Sequence, residues 1–142
     1  MRVVLDANVL ASGFVSQPDR PPAAILLSWT DRAFDLVRSV AIRAEVKRIV
    51  TKPFVAQRTT NAQRTVLLRE IDERAEFVVP SVRIDGVATR PEDDRVLEAA
   101  VSAGVDDLVT GDRGLQRLGD YAGIPILDPR AFRDILNRLP PD

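Results

Sequence analysis

The alternation of short apolar runs with helical patterns is the feature that most limits what this chain can fold into. Five runs are typical of buried strands, at residues 3–6, 34–38, 76–79, 107–110 and 124–127. Five helical patterns lie between and after them, at 22–29, 39–50, 61–75, 91–103 and 129–139. Such alternation folds with right-handed crossovers. We therefore predict an α/β fold: a three-layer α/β/α arrangement with a mainly parallel five-stranded sheet, formed by residues 1–142 as one domain.

The composition excludes several kinds of catalytic site. The chain contains no Cys and no His. Thiol nucleophiles, imidazole bases, Ser-His-Asp triads and His- or Cys-ligated zinc are therefore all absent. Carboxylate chemistry remains, most naturally through hard divalent cations that oxygen ligands bind.

Charge and hydropathy limit the partners and the location. The formal net charge is -1, which argues against a free-standing polyanion binder. Lys47 and Lys52 are the only lysines, so the other basic residues are Arg, either for phosphate binding or from coding bias. The first apolar run is too short for a signal peptide, and no stretch reaches the ~20 apolar residues of a membrane span. We expect a cytoplasmic protein with no membrane contact.

Acidic residues lie where the chain changes direction. Asp6 ends the first apolar run, Asp94 opens the fourth helical pattern beside Asp93, and Asp112 follows the fourth strand. Helix capping, a favourable helix dipole or an Asx-turn would each explain these positions without any catalytic role. Both interpretations stay open for each acid taken alone.

Glu45 is placed differently, inside a helix. Its neighbours Ala41, Ile42 and Ile49 are apolar, so its carboxylate lies within or beside the face that packs on the core. Such a carboxylate needs a partner, which is either a metal ion or Arg48 one turn later. If the four acids meet at the carboxyl ends of the strands, their mutual repulsion favours a divalent cation between them.

The order of these motifs resembles the PIN-domain nucleases, over nearly the whole chain. Their Asp-x-Asn after strand one corresponds to Asp6-Ala7-Asn8, and their helical Glu to Glu45. Their helix-opening Asp corresponds to Asp94, chosen over Asp93 because the 18-residue step to Asp112 matches the family spacing. Their Thr-x-Asp corresponds to Thr110-Gly111-Asp112. The chain is most similar to the VapC-type toxins of toxin-antitoxin systems, which the segments 49–54 and 124–132 also resemble.

The resemblance implies a Mg²⁺- or Mn²⁺-dependent endoribonuclease. Asp6, Glu45, Asp94 and Asp112 would ligate the metal. The supporting residues would be Asn8 and Thr110, which hold ligands or water, Asp93, which assists, and Arg113, which contacts phosphate. The resemblance also implies a cognate antitoxin protein and a homodimer. Many relatives carry a further acid where this chain has Gly114, so a second metal site would be weaker.

Other functions compete with the nuclease. A haloacid-dehalogenase-type phosphatase needs a second Asp where Asn8 stands and a downstream Lys, for which the chain offers only Lys47 and Lys52 at the end of a helix. A phospho-receiver domain needs an acid after the third strand, where Pro80 stands. A PIN-like module that binds RNA or protein without cleavage remains the main alternative.

Overall fold

The structure is a computed structural model, and it describes residues 1–140 of the chain. Its strands are β1 (Arg2–Leu5), β2 (Asp35–Arg38), β3 (Glu76–Phe77), β4 (Asp107–Val109), β5 (Asp120–Tyr121) and β6 (Ile124–Leu127). They form one sheet in the order β3-β2-β1-β4-β6-β5, in which only β5 runs antiparallel to its neighbour. The predicted mainly parallel α/β fold is confirmed, with a short sixth strand in addition to the five predicted. Pro141 and Asp142, the end of the predicted domain, lie outside the described residues.

Helices connect the strands. They are α1 (Ala7–Val15), α2 (Pro21–Thr30), α3 (Val40–Val50), α4 (Pro53–Ala56), α5 (Asn61–Arg74), α6 (Pro91–Ala103), α7 (Arg113–Gln116) and α8 (Pro129–Arg138). The five predicted helices are confirmed to within a residue or two, and α1, α4 and α7 are additional. Ser39 caps α3 through its hydroxyl, and Gly104 ends α6 in a left-handed conformation, both as expected from their residue types.

The first helix is one that the sequence pattern did not predict. Val9, Val15 and Gly13 have modest helix propensity, so the pattern is weak. Packing stabilises α1 instead: Val9, Leu10 and Ala11 are buried in the core. A Cβ at Gly13 would lie 2.5 Å from the carbonyl oxygen of Pro22, so only glycine allows α1 and α2 to approach this closely.

The core lies between the sheet and the helices. Val3, Val4 and Leu5 of the central strand β1 are almost fully buried, as are Leu108 and Val109 of β4. Burying an aliphatic side chain of this size contributes about 1.5–3 kcal/mol, so the two strands are anchored side by side. Within residues 1–140, no helix is both long and apolar enough to cross a membrane.

The order of strands reverses between β1 and β4. After β1 the chain adds β2 and β3 on one side, and it then returns to place β4, β6 and β5 on the other side. In parallel α/β sheets, ligands bind beyond the carboxyl ends of the strands at such a switch point. The residues that follow Leu5 and Val109 therefore lie where a sheet of this kind binds its ligands.

Candidate active site

Asp6 and Thr110 meet where β1 and β4 end. The two strands pair in parallel with Leu5 opposite Val109, and the Asp6 amide donates to the Val109 carbonyl at 3.0 Å. The Thr110 hydroxyl then donates a hydrogen bond to Oδ2 of Asp6. Residues that are 104 positions apart in sequence are thus held together by strand pairing.

Asp6 is a helix cap and a buried acid at the same time. Its Oδ1 accepts a hydrogen bond from the Val9 amide at 2.8 Å and so caps α1. Only 2% of the residue is exposed. Burial raises the pKa of Asp6, the Thr110 and Val9 hydrogen bonds oppose that rise, and the negative charge of Asp93 adds to it. The two interpretations of Asp6 are therefore compatible rather than exclusive.

Asp112 is linked to Asp6 through Thr110. The Thr110 oxygen accepts a hydrogen bond from the Asp112 amide at 3.0 Å, while its hydroxyl proton goes to Asp6. Oδ2 of Asp112 accepts from the Leu115 amide at 2.9 Å, which caps α7. A Cβ at Gly114 would lie 3.1 Å from this same oxygen. Thr110 thus links the Asp6 carboxylate to the backbone of Asp112.

A cavity of about 70 Å³ opens beside Asp6. Three segments line it: the start of α1, one face of α3, and the start of α6 with the residue before it. The lining residues are Asp6, Ala7, Asn8, Ala41, Ile42, Glu45, Arg90, Glu92, Asp93, Arg95 and Val96. Of the predicted site residues, Asp6, Asn8, Glu45 and Asp93 line this cavity, whereas Asp94, Thr110, Asp112 and Arg113 do not.

Glu45 reaches the cavity from α3 and is held by Arg48. Its side chain is 18% exposed, and Nε of Arg48 lies 3.0 Å from each of its two oxygens. Ala41 and Ile42 line the cavity beside it, as the apolar spacing of the helix predicted. The ion pair with Arg48 predicted as the alternative is thus present, and Glu45 faces the cavity as well.

Asp93 lies opposite, in the first turn of α6. The residue is 3% exposed, and Arg90 holds its two oxygens at 3.2 and 3.3 Å. Burial raises the pKa of Asp93, the Arg90 hydrogen bonds and charge lower it, and Asp112 and Glu92 raise it further. The charge of Asp93 raises the pKa of Asp6, and the charge of Asp112 raises the pKa of Asp93. The three acids are therefore coupled electrostatically.

Asp94 points elsewhere, which corrects the expectation that it, rather than Asp93, joins Asp6 and Glu45. Its carboxylate accepts hydrogen bonds from three backbone amides, those of Gly86, Val87 and Ala88, at 3.0, 3.2 and 2.7 Å. It does not line the cavity. Successive helical residues differ in direction by about 100°, so the first turn of α6 presents one acid to each side. Spacing to Asp112 alone does not distinguish the two directions.

Glu98 lies one turn after Asp94 on α6 and, like Asp94, accepts a hydrogen bond from the backbone before the helix. Its Oε2 accepts from the Ile84 amide at 2.8 Å, and Nε of Arg95 lies 3.1 Å from its Oε1. Asp94 and Glu98 together hold the connection between β3 and α6 against the helix. The spacing of four residues on one helix face was the available sequence signal for this role.

Arg90, Glu92 and Arg95 are the charged cavity residues that the sequence interpretation missed. Arg90 precedes Pro91, the first residue of α6, and lies three residues before Asp93. That i, i+3 spacing of opposite charges is the signal that could have identified it.

Of the remaining predicted residues, Arg113 is exposed at the start of α7, directly after Asp112.

The donor atoms suit a hard cation, but the side chains are not yet arranged around one. Among residues 1–140, no three acidic side chains converge closely enough to hold a metal ion. The reason lies in the contacts above: Glu45 and Asp93 are turned to Arg48 and Arg90, and Asp6 is turned to Thr110. Carboxylate oxygens remain the ligand type that Mg²⁺ and Mn²⁺ prefer.

Comparisons with known proteins agree with this architecture. The family model of the PIN domain matches residues 2–114, a range that includes every candidate site residue. A comparison with curated protein sequences gave no match.

Solved structures share the fold at low sequence identity. PAE2754 from Pyrobaculum aerophilum superposes with a TM-score of 0.66 at 17% identity, covering 98% of this chain and 91% of that one. VapBC2 from Rickettsia felis, solved with a DNA fragment from its promoter, gives 0.59 at 16% identity, covering 90% of this chain and 98% of that one. FitAcB from Neisseria gonorrhoeae gives 0.55 at 19% identity, with coverages of 90% and 98%. With the family model matching most of its length, this chain belongs to the PIN domain family.

Proposed function

We propose that this protein is a Mg²⁺- or Mn²⁺-dependent endoribonuclease that hydrolyses phosphodiester bonds in RNA. The observation that carries the proposal is the meeting of Asp6, Glu45 and Asp93 around one cavity at the switch point of the sheet. Thr110 and Asp112 adjoin it through the hydrogen bond to Asp6. Membership of the PIN domain family supports the same function.

The residues present suit a divalent metal ion in the type of ligand atom they offer, and three of the acids line one cavity. Asp6, Glu45 and Asp93 would hold the cation, with Asp112 beside them and Asn8 supporting a ligand or water. All offer oxygen donors, and no nitrogen or sulfur ligand competes. A bound cation would polarise a phosphoryl oxygen and lower the pKa of a coordinated water.

Several of the chain's own groups have roles that do not depend on the metal's geometry. The Thr110 hydroxyl keeps Oδ2 of Asp6 oriented, and the Val9 amide fixes Oδ1, so the acid keeps one rotamer. The apolar wall of Ala41, Ile42 and Val96 limits water around the acids and strengthens their electrostatic interactions. Arg113 is exposed beside Asp112 and is suited to hold an RNA phosphate.

We further propose that the protein is the toxin of a toxin-antitoxin pair and that a cognate antitoxin protein blocks the cavity. The structural likeness to VapBC2 of Rickettsia felis and to FitAcB of Neisseria gonorrhoeae supports this part of the proposal. The homodimer expected from the sequence resemblance stays a prediction, with the oligomeric state in solution as its test.

The decisive experiment compares RNA cleavage by the wild type and by Asp6→Asn with Mn²⁺. Asp128→Asn is a matched control, because Asp128 caps α8 through the Ala131 amide as Asp6 caps α1, but is exposed and away from the cavity. We expect cleavage by the wild type and by Asp128→Asn, and a loss of at least about 100-fold for Asp6→Asn. Equal cleavage by all three proteins would overturn the assignment of the site.

Binding of RNA or protein without cleavage is the second candidate function. It is favoured by the pairing of Glu45 and Asp93 with arginines, since paired carboxylates need no metal. Titration with Mn²⁺ separates the two candidates. A nuclease is expected to gain thermal stability with millimolar Mn²⁺, and a metal-independent binding module is not.

A further inference from the structure

Two arginines each form an ion pair with one acid of the cavity, and one of them, Arg90, also lines the cavity. Arg90 reaches Asp93 from the residue before α6, and Arg48 reaches Glu45 from the next turn of α3. The side chains of Arg90 and Arg48 are 48% and 50% exposed, whereas those of Asp93 and Glu45 are only 4% and 18% exposed. The charged partners are thus arranged with the acids inward and the guanidinium groups outward.

The pairing has a physical cause in the burial of the acids. A carboxylate withdrawn from water needs a compensating charge or hydrogen bonds. Arg90 supplies both to Asp93, with one nitrogen near each oxygen. Arg48 supplies both to Glu45, with its Nε near both oxygens and Nη2 donating to Oε1. The negative charges of Glu92 and Asp112 also act on Arg90, so the guanidinium stays charged beside the cavity.

The oxygens that the arginines occupy are those that a cation would need. A divalent cation between Asp6, Glu45 and Asp93 would compete with both guanidinium groups for the same lone pairs and would repel their charge. The guanidinium side of each pair is half exposed, so water weakens the pair and a cation is able to displace the arginine. Their long, exposed side chains also give the guanidinium groups room to swing outward.

We propose that Arg90 and Arg48 are displaceable counterions of the metal site. In the metal-free protein they neutralise Asp93 and Glu45. When a cation binds, they release these acids and bind phosphates of the RNA backbone. This inference rests on the proposed function and concerns the regulation of the same site. A released guanidinium at the rim is suited to bind a phosphate through paired hydrogen bonds. The arginines would thus couple metal entry to substrate binding.

Calorimetric titration of Mn²⁺ into the metal-free protein tests the first half of the proposal. Removing a competing arginine is expected to tighten Mn²⁺ binding by about twofold to fivefold in Arg90→Gln and in Arg48→Gln. The effects are expected to be roughly additive in free energy in the double variant. Arg83→Gln is the matched control: Arg83 lies in the same connection as Arg90 and pairs with Asp85, away from the cavity.

Cleavage kinetics at saturating Mn²⁺ test the second half. Arg90→Gln is expected to raise KM for RNA several-fold with a smaller change in kcat, because a phosphate contact is lost while the bound metal is retained. Arg90→Lys keeps the charge without the planar fork and is expected to fall between the wild type and Arg90→Gln. Melting temperatures of all variants, measured without metal, verify that each is folded.

The outcomes distinguish failure of the inference from failure of the proposed function. If the wild type binds no Mn²⁺ at millimolar concentration, both the proposed function and this inference are contradicted. If the wild type binds Mn²⁺ but Arg90→Gln binds it equally or more weakly, the inference alone is overturned. Equal tightening in Arg83→Gln would also overturn it, because net charge rather than direct competition would then be the cause.

Discussion

The Thr110 hydroxyl donates a hydrogen bond to the Asp6 carboxylate across the pair of strands β1 and β4. The same Thr110 oxygen accepts the amide of Asp112, so one small side chain sets the relation between two acids of the candidate site. Asp6 is almost fully buried by this arrangement. A buried acid that is kept in one orientation is suited to bind a cation and is a source of instability without one.

Asp6→Asn is expected to stabilise the metal-free protein by roughly 1 kcal/mol at neutral pH, because it removes the cost of a buried negative charge. Asn keeps an oxygen for the Val9 amide, so the cap of α1 is retained. Chemical denaturation measures the difference. Asp128→Asn, at an exposed cap, is expected to change the free energy of unfolding by less than about 0.5 kcal/mol.

The same substitution is expected to change the pH dependence of stability. Burial raises the pKa of Asp6 above its ordinary value of 3.8, so the folded state holds this proton more tightly than the unfolded chain does. The stability of the metal-free wild type relative to Asp6→Asn should therefore fall as pH rises from about 3.8 through the folded-state pKa, and should then stay constant. The range from about pH 3.5 to 8 covers and extends above the ordinary carboxyl pKa values. A difference in stability between the two proteins that does not change with pH over this range would contradict the effect of burial on Asp6.

Asp93→Asn and Asp94→Asn are expected to separate metal binding from loop anchoring. Asp93→Asn should abolish the rise in melting temperature that Mn²⁺ produces, because Asp93 lines the cavity. Asp94→Asn should keep that rise but lower the free energy of unfolding by about 1–3 kcal/mol, since its carboxylate accepts from the Gly86, Val87 and Ala88 amides. The reverse pattern would restore Asp94 as the candidate ligand.

Gly114→Asp tests whether a further acid strengthens the site. A Cβ at Gly114 would lie 3.1 Å from Oδ2 of Asp112, so the new carboxylate would stand beside that acid. We expect Mn²⁺ to raise the melting temperature of Gly114→Asp more than that of the wild type, because a cation relieves the added repulsion. Gly114→Ala adds the same Cβ without charge, and it should respond to Mn²⁺ as the wild type does.

Glu98→Ala is expected to loosen the connection between β3 and α6. The Ile84 amide would lose its acceptor, and Arg95 would lose one of its two acidic partners, at a cost of about 1–3 kcal/mol. Hydrogen exchange should become faster at Ile84, whose amide is otherwise protected. Glu73→Ala on the exposed face of α5 serves as the control and should leave both quantities nearly unchanged. Unchanged exchange at Ile84 in Glu98→Ala would contradict the anchoring role.

Local pattern was sufficient for the elements that bury a regular face. The apolar runs at β1 and β4 and the spacing along α3 and α6 predicted the alternation of strands and helices, and with it the mainly parallel sheet. The same reasoning expected Asp6, Glu45, Asp94 and Asp112 in one cleft, and two of these four acids, Asp6 and Glu45, line the cavity. These inferences succeed because side-chain periodicity and the geometry of parallel strands act over short stretches of sequence.

Tertiary structure decided the features that depend on contacts between distant segments of the chain. Helix α1 depends on the close approach of Gly13 to Pro22, which its own propensity does not reveal. Asp93 and Asp94 are adjacent acids at the same helix start, and their directions are set by Arg90 on one side and by the amides of residues 86–88 on the other. By itself, the sequence determined which chemistry is available and at which edge of the sheet it lies. Only the folded chain decided which acid faces the cavity, because that choice depends on partners that packing brings into hydrogen-bonding distance.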